Sequence, residues 1–207
     1  MRVITVSREF GSGGRELAKC LADALGYTYY DKQITLQIAK ELEMDEDYVY
    51  HMLSRGIPHT FSVSFANSFG HNSYTQQDAT KLLAAQQKIL KEVALNGNCV
   101  IVGQAANAIL ENIHSFDIFV YASTHAKVER CLARATPEEK LDEAKTKKLM
   151  KQIDKNRAIQ HELFSDIKWG DKDGYHLCIN TTNLDIKSII PYLVNYINEW
   201  FEQHDKL

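Results

Sequence analysis

The stretch that most constrains this fold is Ser7-Arg8-Glu9-Phe10-Gly11-Ser12-Gly13-Gly14-Arg15-Glu16. An apolar run, Val3-Ile4-Thr5-Val6, precedes it, and a helical pattern beginning Leu17-Ala18-Lys19-Cys20-Leu21 follows. Strand, glycine loop and helix in that order make the frame of a phosphate-binding loop. Gly11, Gly13 and Gly14 let the backbone close around an anion, at which the N–H groups of the following helix would point. Arg15, in the first turn, adds a charged fork suited to phosphate oxygens. Glu16 has two readings: it faces a magnesium ion through water, or it caps Gly13 as an acid in the first turn. The dinucleotide spacing G-x-G-x-x-G fails because residue 16 is Glu, and G-x-x-x-x-G-K-[ST] fails because Glu9 takes the first glycine's place. On spacing alone, a phosphate cradle and a ligand-free glycine N-cap both stand open.

Strand and helix patterns along the rest of the chain set the fold class. Val3–Ser7, 98–103, 117–123 and 177–181 are short, apolar and rich in β-branched or aromatic residues, as buried parallel strands are, and Tyr27–Tyr30 makes a fifth. Leu17, Cys20, Leu21, Ala24 and Leu25 share one helical face, ended by Gly26. Ile186, Ile189, Ile190, Leu193, Val194, Ile197, Trp200 and Phe201 recur at helical spacing and read as core. Strands alternating with helices predict a three-layer α/β/α sandwich with a mainly parallel sheet, whose ligands sit beyond the carboxyl ends of the strands.

Two regions depart from that alternation. Residues 56–75 are polar and aromatic with weak periodicity, between helical patterns at 45–55 and 76–96. Residues 127–157 predict one long charged helical segment with a local charge of +4, which leaves −7 on the remainder of a chain whose net charge is −3. A net charge of −3 gives no reason to expect nucleic acid as a partner. No run has the length of a membrane span and no signal-peptide pattern precedes the first strand, so the expected location is the cytoplasm. Cys20, Cys99, Cys131 and Cys178 read as buried free thiols, and His125 and His161 as surface residues; no residue is assigned a metal role. No linker or repeat divides the 207 residues, which predicts one domain.

The opening block "ITVSREFGSGGRELAKCLADALGYTYYDKQI" resembles the start of the cytidylate-kinase-like P-loop proteins, with the pattern S-R-E-[FY]-G-S-G-G-R-E-[IL] followed by Y-D-[KR]. "CVIVGQAANAIL" (99–110) and "IDKNRAIQHELFSDIKWGDKDGYHLCINT" (153–181) extend the resemblance over nearly the whole chain. It implies a P-loop kinase fold with a helical lid at about 127–165 and an acceptor-binding insertion at about 41–85. ATP and Mg²⁺ are the implied cofactors, and small-molecule nucleotides the implied partners. Gly11, Ser12, Gly13, Gly14, Arg15 and Glu16 would hold the donor phosphates, with Arg8 facing the same site. Asp31 would position the acceptor; locally it also reads as an N-cap for a helix over 32–43. Arg130, Arg134, Lys151 and Arg157 are the lid cations that would join Arg15 in neutralising the phosphoryl group in transfer, Arg157 being the strongest match. Trp169 and Asp171 belong to the matching block and read as a structural turn.

Three positions depart from the family pattern. Where the family has G-R-C-A-D after the third strand, this chain has Gly103-Gln104-Ala105-Ala106-Asn107, and His176 replaces a common aspartate. Gln104 and Asn107 can contact an acceptor only through neutral hydrogen bonds. The resemblance therefore implies ATP-dependent phosphoryl transfer to a nucleoside monophosphate, CMP or dCMP favoured. Two alternatives accompany it: a nucleotide-binding protein weakened in transfer, acting as a sensor or assembly partner, and a kinase for a non-nucleotide small molecule. Oligomeric state is not legible in the sequence.

Overall fold

The structure, a computed structural model, describes residues 1–55, 72–136, 139 and 141–204. Pro58, Pro137 and most of the polar-aromatic stretch 56–75 lie outside the described residues. Five strands form one sheet: β1 (Val3–Arg8), β2 (Thr28–Tyr30), β3 (Cys99–Val102), β4 (Ser115–Tyr121) and β5 (Leu177–Asn180). Their order is β2-β3-β1-β4-β5, and every pairing is parallel. All five predicted strands are present, each within two residues at either end of its expected span.

Alternation along β1 and β3 divides the core into two halves, because successive side chains leave opposite faces of a sheet. Ile4, Val6, Val100 and Val102 meet α1 (Gly14–Leu25) and α8 (Ile186–His204) through Leu17, Leu21, Ile190, Ile197 and Phe201. Val3 and Ile101 meet the other layer, α2 (Lys32–Glu41), α3 (Glu46–Arg55), α4 (Asn72–Leu95) and α5 (Ala106–Ile109), through Ile34, Ile38, Val49, Leu82 and Leu90. The result is the expected α/β/α sandwich. Gly26 ends α1 in the left-handed conformation at φ 68°, the capping role its position predicts.

Three expectations need correction. The charged segment 127–157 is two helices, α6 (Thr124–Arg134) and α7 (Glu143–Glu162). Ala135 turns extended at φ −67°, ψ 139°, and Asp142 starts the next helix by accepting the Lys145 N–H at 2.8 Å. His125 is exposed, but His161 is buried, because the end of α7 packs over Asn107 of α5. Among the cysteines, Cys99 is buried and Cys178 exposed, with Cys20 and Cys131 between; Cys178 stands on β5, the sheet's edge strand. Among the described residues no helix is long and apolar enough to cross a membrane.

Candidate active site

The loop after β1 adopts a shape that leaves its amides available to an anion. Gly11 and Gly13 sit at φ 78° and 83°, where a Cβ is disfavoured. A Cβ on Gly11 would also stand 2.9 Å from the Lys127 carbonyl oxygen and 2.8 Å from Cys131 Sγ, so α6 packs directly against the loop. The loop's carbonyls are engaged elsewhere. Ser12 Oγ donates to the Glu9 carbonyl at 2.8 Å, Arg130 Nη1 to the Gly11 carbonyl at 2.9 Å, and Thr181 Oγ1 to the Ser12 carbonyl at 2.6 Å. With the acceptors turned away, the N–H groups of Arg15 and Glu16 remain in the first turn of α1, where a helix supplies no partner.

Glu9, the residue that breaks the commoner glycine spacing, is a strut. Its Oε2 accepts from Lys127 Nζ at 2.9 Å and from the Ala122 N–H at 3.2 Å, fastening the loop to the end of β4 and to α6. Asp154 on α7 performs a parallel task, accepting the Phe10 N–H at 2.7 Å and Arg157 Nη1 at 3.2 Å. Sequence reasoning gave no role to Lys127, Asp154 and Thr181; the last two lie in the matching block 153–181, but nothing in the sequence joins them to the loop.

A cavity of about 660 Å³ opens over this loop. Arg8, Arg15, Arg130 and Arg157 line it, as do Gly11, Gly13, Gly14, Asp31, Gln104 and Arg134. Arg8 lies across Gly103, where a Cβ would come within 1.8 Å of its Nη1; glycine is thus required for that crossing. Arg157 Nη1 donates to the Arg8 carbonyl at 2.8 Å. Arg15 Nε meets Asp31 Oδ2 at 2.6 Å, and Arg8 Nη2 approaches Asp31 Oδ1 at 4.0 Å. Among the described residues, five arginines and Lys32 therefore line the cavity against three carboxylates, Glu9, Asp31 and Glu139. Burial, then the charge of Arg157, lowers the pKa of Arg8, while Asp31 opposes; burial is also the main pressure on Arg157. The Tyr29 phenol, half-buried beside Asp31, is pushed up to about 12, first by burial and then by that charge. Excess positive charge in a partly desolvated pocket suits an anionic ligand.

Other residues take different places. Asp31 stands at the N-cap of α2 but makes no side-chain cap bond, its carboxylate being drawn to Arg15. Glu16 pairs with Arg134 through Oε2 at 2.5 Å and makes no cap to Gly13. Lys151 is exposed on α7 and does not line the cavity. Gln104 lines it, its Nε2 on Thr35 Oγ1 at 3.3 Å and its carbonyl held by Gln86 Nε2 at 2.8 Å. Gln104 and Ala105 both adopt left-handed backbone, φ 59° and 53°, an uncommon pair of non-glycine residues at the cavity's edge. Asn107 lies behind the lining, with Oδ1 accepting from Ser7 Oγ at 3.3 Å and Nδ2 on His161 Nε2 at 3.1 Å. Asp171 caps the 3₁₀ turn Lys172–Gly174, and Trp169 packs edge-on against Phe119 while lining the cavity.

Among the described residues no group of three or more His, Cys, Asp or Glu side chains could hold a metal ion. Magnesium prefers hard oxygen ligands, often one carboxylate together with phosphate oxygens and water. Glu16, immediately after the loop, offers such a carboxylate, with Oε2 taken by Arg134.

Comparison with known proteins agrees with this architecture. The sequence model of the cytidylate kinase-like family matches residues 3–183. No curated protein matches the sequence. An uncharacterized protein from Eubacterium ventriosum has a similar structure, with a TM-score of 0.68 and 24% identity over 96% of this chain and 99% of its own. Shikimate kinase from Bacteroides thetaiotaomicron gives 0.57 and 15%, covering 95% and 98%. A gluconokinase from Sinorhizobium meliloti gives 0.54 and 16%, covering 98% and 94%. These likenesses establish the P-loop kinase fold.

Proposed function

The chain belongs to the cytidylate kinase-like family, and on that premise we propose that it transfers the γ-phosphoryl group of ATP to a nucleoside monophosphate, CMP or dCMP being preferred. The observation that carries this reading is the convergence of Arg8, Arg15, Arg130 and Arg157 on a glycine loop whose carbonyls are engaged elsewhere. Phosphoryl transfer needs little covalent chemistry from the protein; it needs alignment and neutralisation of charge.

In this reading Gly11–Gly14 and the first-turn amides of α1 cradle the donor phosphates, and Arg15 grips them once it leaves Asp31. Asp31 and Gln104 contact the acceptor, while Asn107 supports the site from behind. Arg130, Arg134 and Arg157 supply cations from the lid, about 127–165, and the segment about 41–85 contributes the acceptor side of a single domain. Lys151, exposed away from the cavity, has no part in transfer. Glu16 would be the carboxylate to hold a magnesium ion arriving with ATP, which would supply further neutralisation of phosphate oxygens. Closure of α6 and α7 over the cavity would exclude water and suppress hydrolysis.

A second reading, a kinase for a non-nucleotide small molecule, is favoured by Gln104. The family's arginine is replaced by a neutral amide that is tied to Thr35 and Gln86. ADP formation from Mg-ATP, measured across ribo- and deoxyribonucleoside monophosphates with an acceptor-free control, separates the two. Turnover on CMP or dCMP supports the first. ATP binding without turnover on any monophosphate rejects it in favour of another acceptor or a purely binding role.

A further inference from the structure

One face of α7 bears hydrogen-bonding groups that the phosphate chemistry does not use. Thr146, Leu149, Ile153, Asn156 and Gln160 recur at three- and four-residue intervals, so they share one face, and all line the cavity together with His161. Among the described residues, three of these carry buried polar atoms without a hydrogen-bond partner: Thr146 Oγ1, Gln160 Nε2 and His161 Nδ1. Thr146 and His161 are 0% and 2% exposed. Buried polar groups are nearly always satisfied, so three lapses on one helix beside one cavity call for an explanation.

Asn107 is the partner of His161 Nε2. Its Oδ1 accepts from Ser7 Oγ, which turns its NH₂ toward His161 Nε2 at 3.1 Å. With the amide NH₂ on that side, a neutral ring accepts at Nε2 and carries its proton on Nδ1. Burial lowers the pKa of His161, opposed by Glu162, so the ring is neutral at neutral pH. The chain Ser7–Asn107–His161 thus presents a neutral donor whose partner is missing among the described residues.

We propose that His161, with Gln160 and Thr146, forms a hydrogen-bonding subsite for the uncharged part of the acceptor, in which His161 Nδ1–H donates to a carbonyl oxygen or ring nitrogen. The inference rests on the functional reading above: for a nucleoside monophosphate, the arginines take the phosphate and α7 takes the base. His161 is then a specificity-determining residue, positioned through Asn107.

Calorimetric binding of CMP, UMP, ribose 5-phosphate and ATP to the wild type and to His161→Phe tests this, because ribose 5-phosphate keeps the phosphate and lacks the base. The expected result is a loss of about tenfold or more in affinity for CMP or UMP, with ribose 5-phosphate and ATP unchanged. Equal losses on the nucleotide and ribose 5-phosphate, no loss on either, or no binding of any pyrimidine nucleotide by the wild type would overturn it. Gln160→Leu, at a half-buried position, gives the same comparison if His161→Phe does not fold. Binding is read without turnover, so CMP that is bound through His161 but never phosphorylated would sink the functional reading and leave the subsite standing.

Discussion

Arg15 Nε lies 2.6 Å from Asp31 Oδ2, so the cation expected at the donor is held by the acid expected at the acceptor. Arg15 is 58% exposed and Asp31 13%. With its Arg15 end in water the pair contributes little stability, which lets Arg15 exchange Asp31 for phosphate at small cost. The pair links the two halves of the cavity through one side chain.

Replacing Arg15 by alanine should raise the dissociation constant for ATP by about tenfold or more, since a charge-assisted fork to phosphate is lost. The unfolding midpoint should barely move. Calorimetric titration with ATP and a thermal melt on the same sample check both; unchanged ATP affinity would remove Arg15 from the phosphate site.

Two cations on α7 should behave oppositely. Arg157 holds the Arg8 carbonyl and lines the cavity, whereas Lys151 is exposed and does not line it. Arg157→Ala should lower kcat by about a hundredfold, the scale of losing one preorganised charge. Lys151→Ala should leave kcat within about twofold, as surface changes do. Steady-state rates on the acceptor that turns over decide the matter, and equal losses would contradict the geometry.

Gly11 is where the loop leaves least room. Its φ of 78° and the approach of the Lys127 carbonyl mean that Gly11→Ala strains the backbone and pushes α6 away. A destabilisation of about 1–3 kcal/mol is expected from the conformation alone, seen as a lower urea midpoint, with ATP affinity falling as the loop distorts.

Asp117 supplies a pH signature remote from the cavity. Burial pushes its carboxyl up to about 6, against the opposing hydrogen bonds from Thr5 and Ser115. His176 does not relieve it as an ion pair: its Nδ1, 3.5 Å from Oδ2, accepts the Asp117 N–H at 3.0 Å and is unprotonated. A carboxyl raised on folding contributes stability below its ordinary value near 3.8, and that contribution is lost as pH rises through about 6. Asp117→Asn keeps an acceptor for both hydroxyls and cannot ionise. Its melting temperature, relative to wild type, should rise between pH 4 and pH 8; a difference that is flat with pH would show that Asp117 is not perturbed.

The sheet was legible because its strands are short apolar runs, each bounded by glycine or polar residues, and because β1, loop and α1 form one continuous local signal. Less legible was anything that depends on two segments meeting. Glu9 reads as a broken glycine motif until Lys127, more than a hundred residues away, closes on it. His161 sits in a polar, charged helix with no apolar face to mark it as buried; only Asn107 of α5 explains its place. The charged stretch 127–157 likewise reads as one helical segment where Ala135 and Asp142 make two. Asp31 shows the same limit, since its sequence position fits an N-cap while Arg15 claims its carboxylate.

The most direct test is the product itself. Phosphorus NMR of a mixture of Mg-ATP, CMP and the protein should show ADP and CDP appearing in equal amounts, with no inorganic phosphate beyond the acceptor-free control. ATP bound but unchanged, or ADP formed with free phosphate and no CDP, would contradict the account.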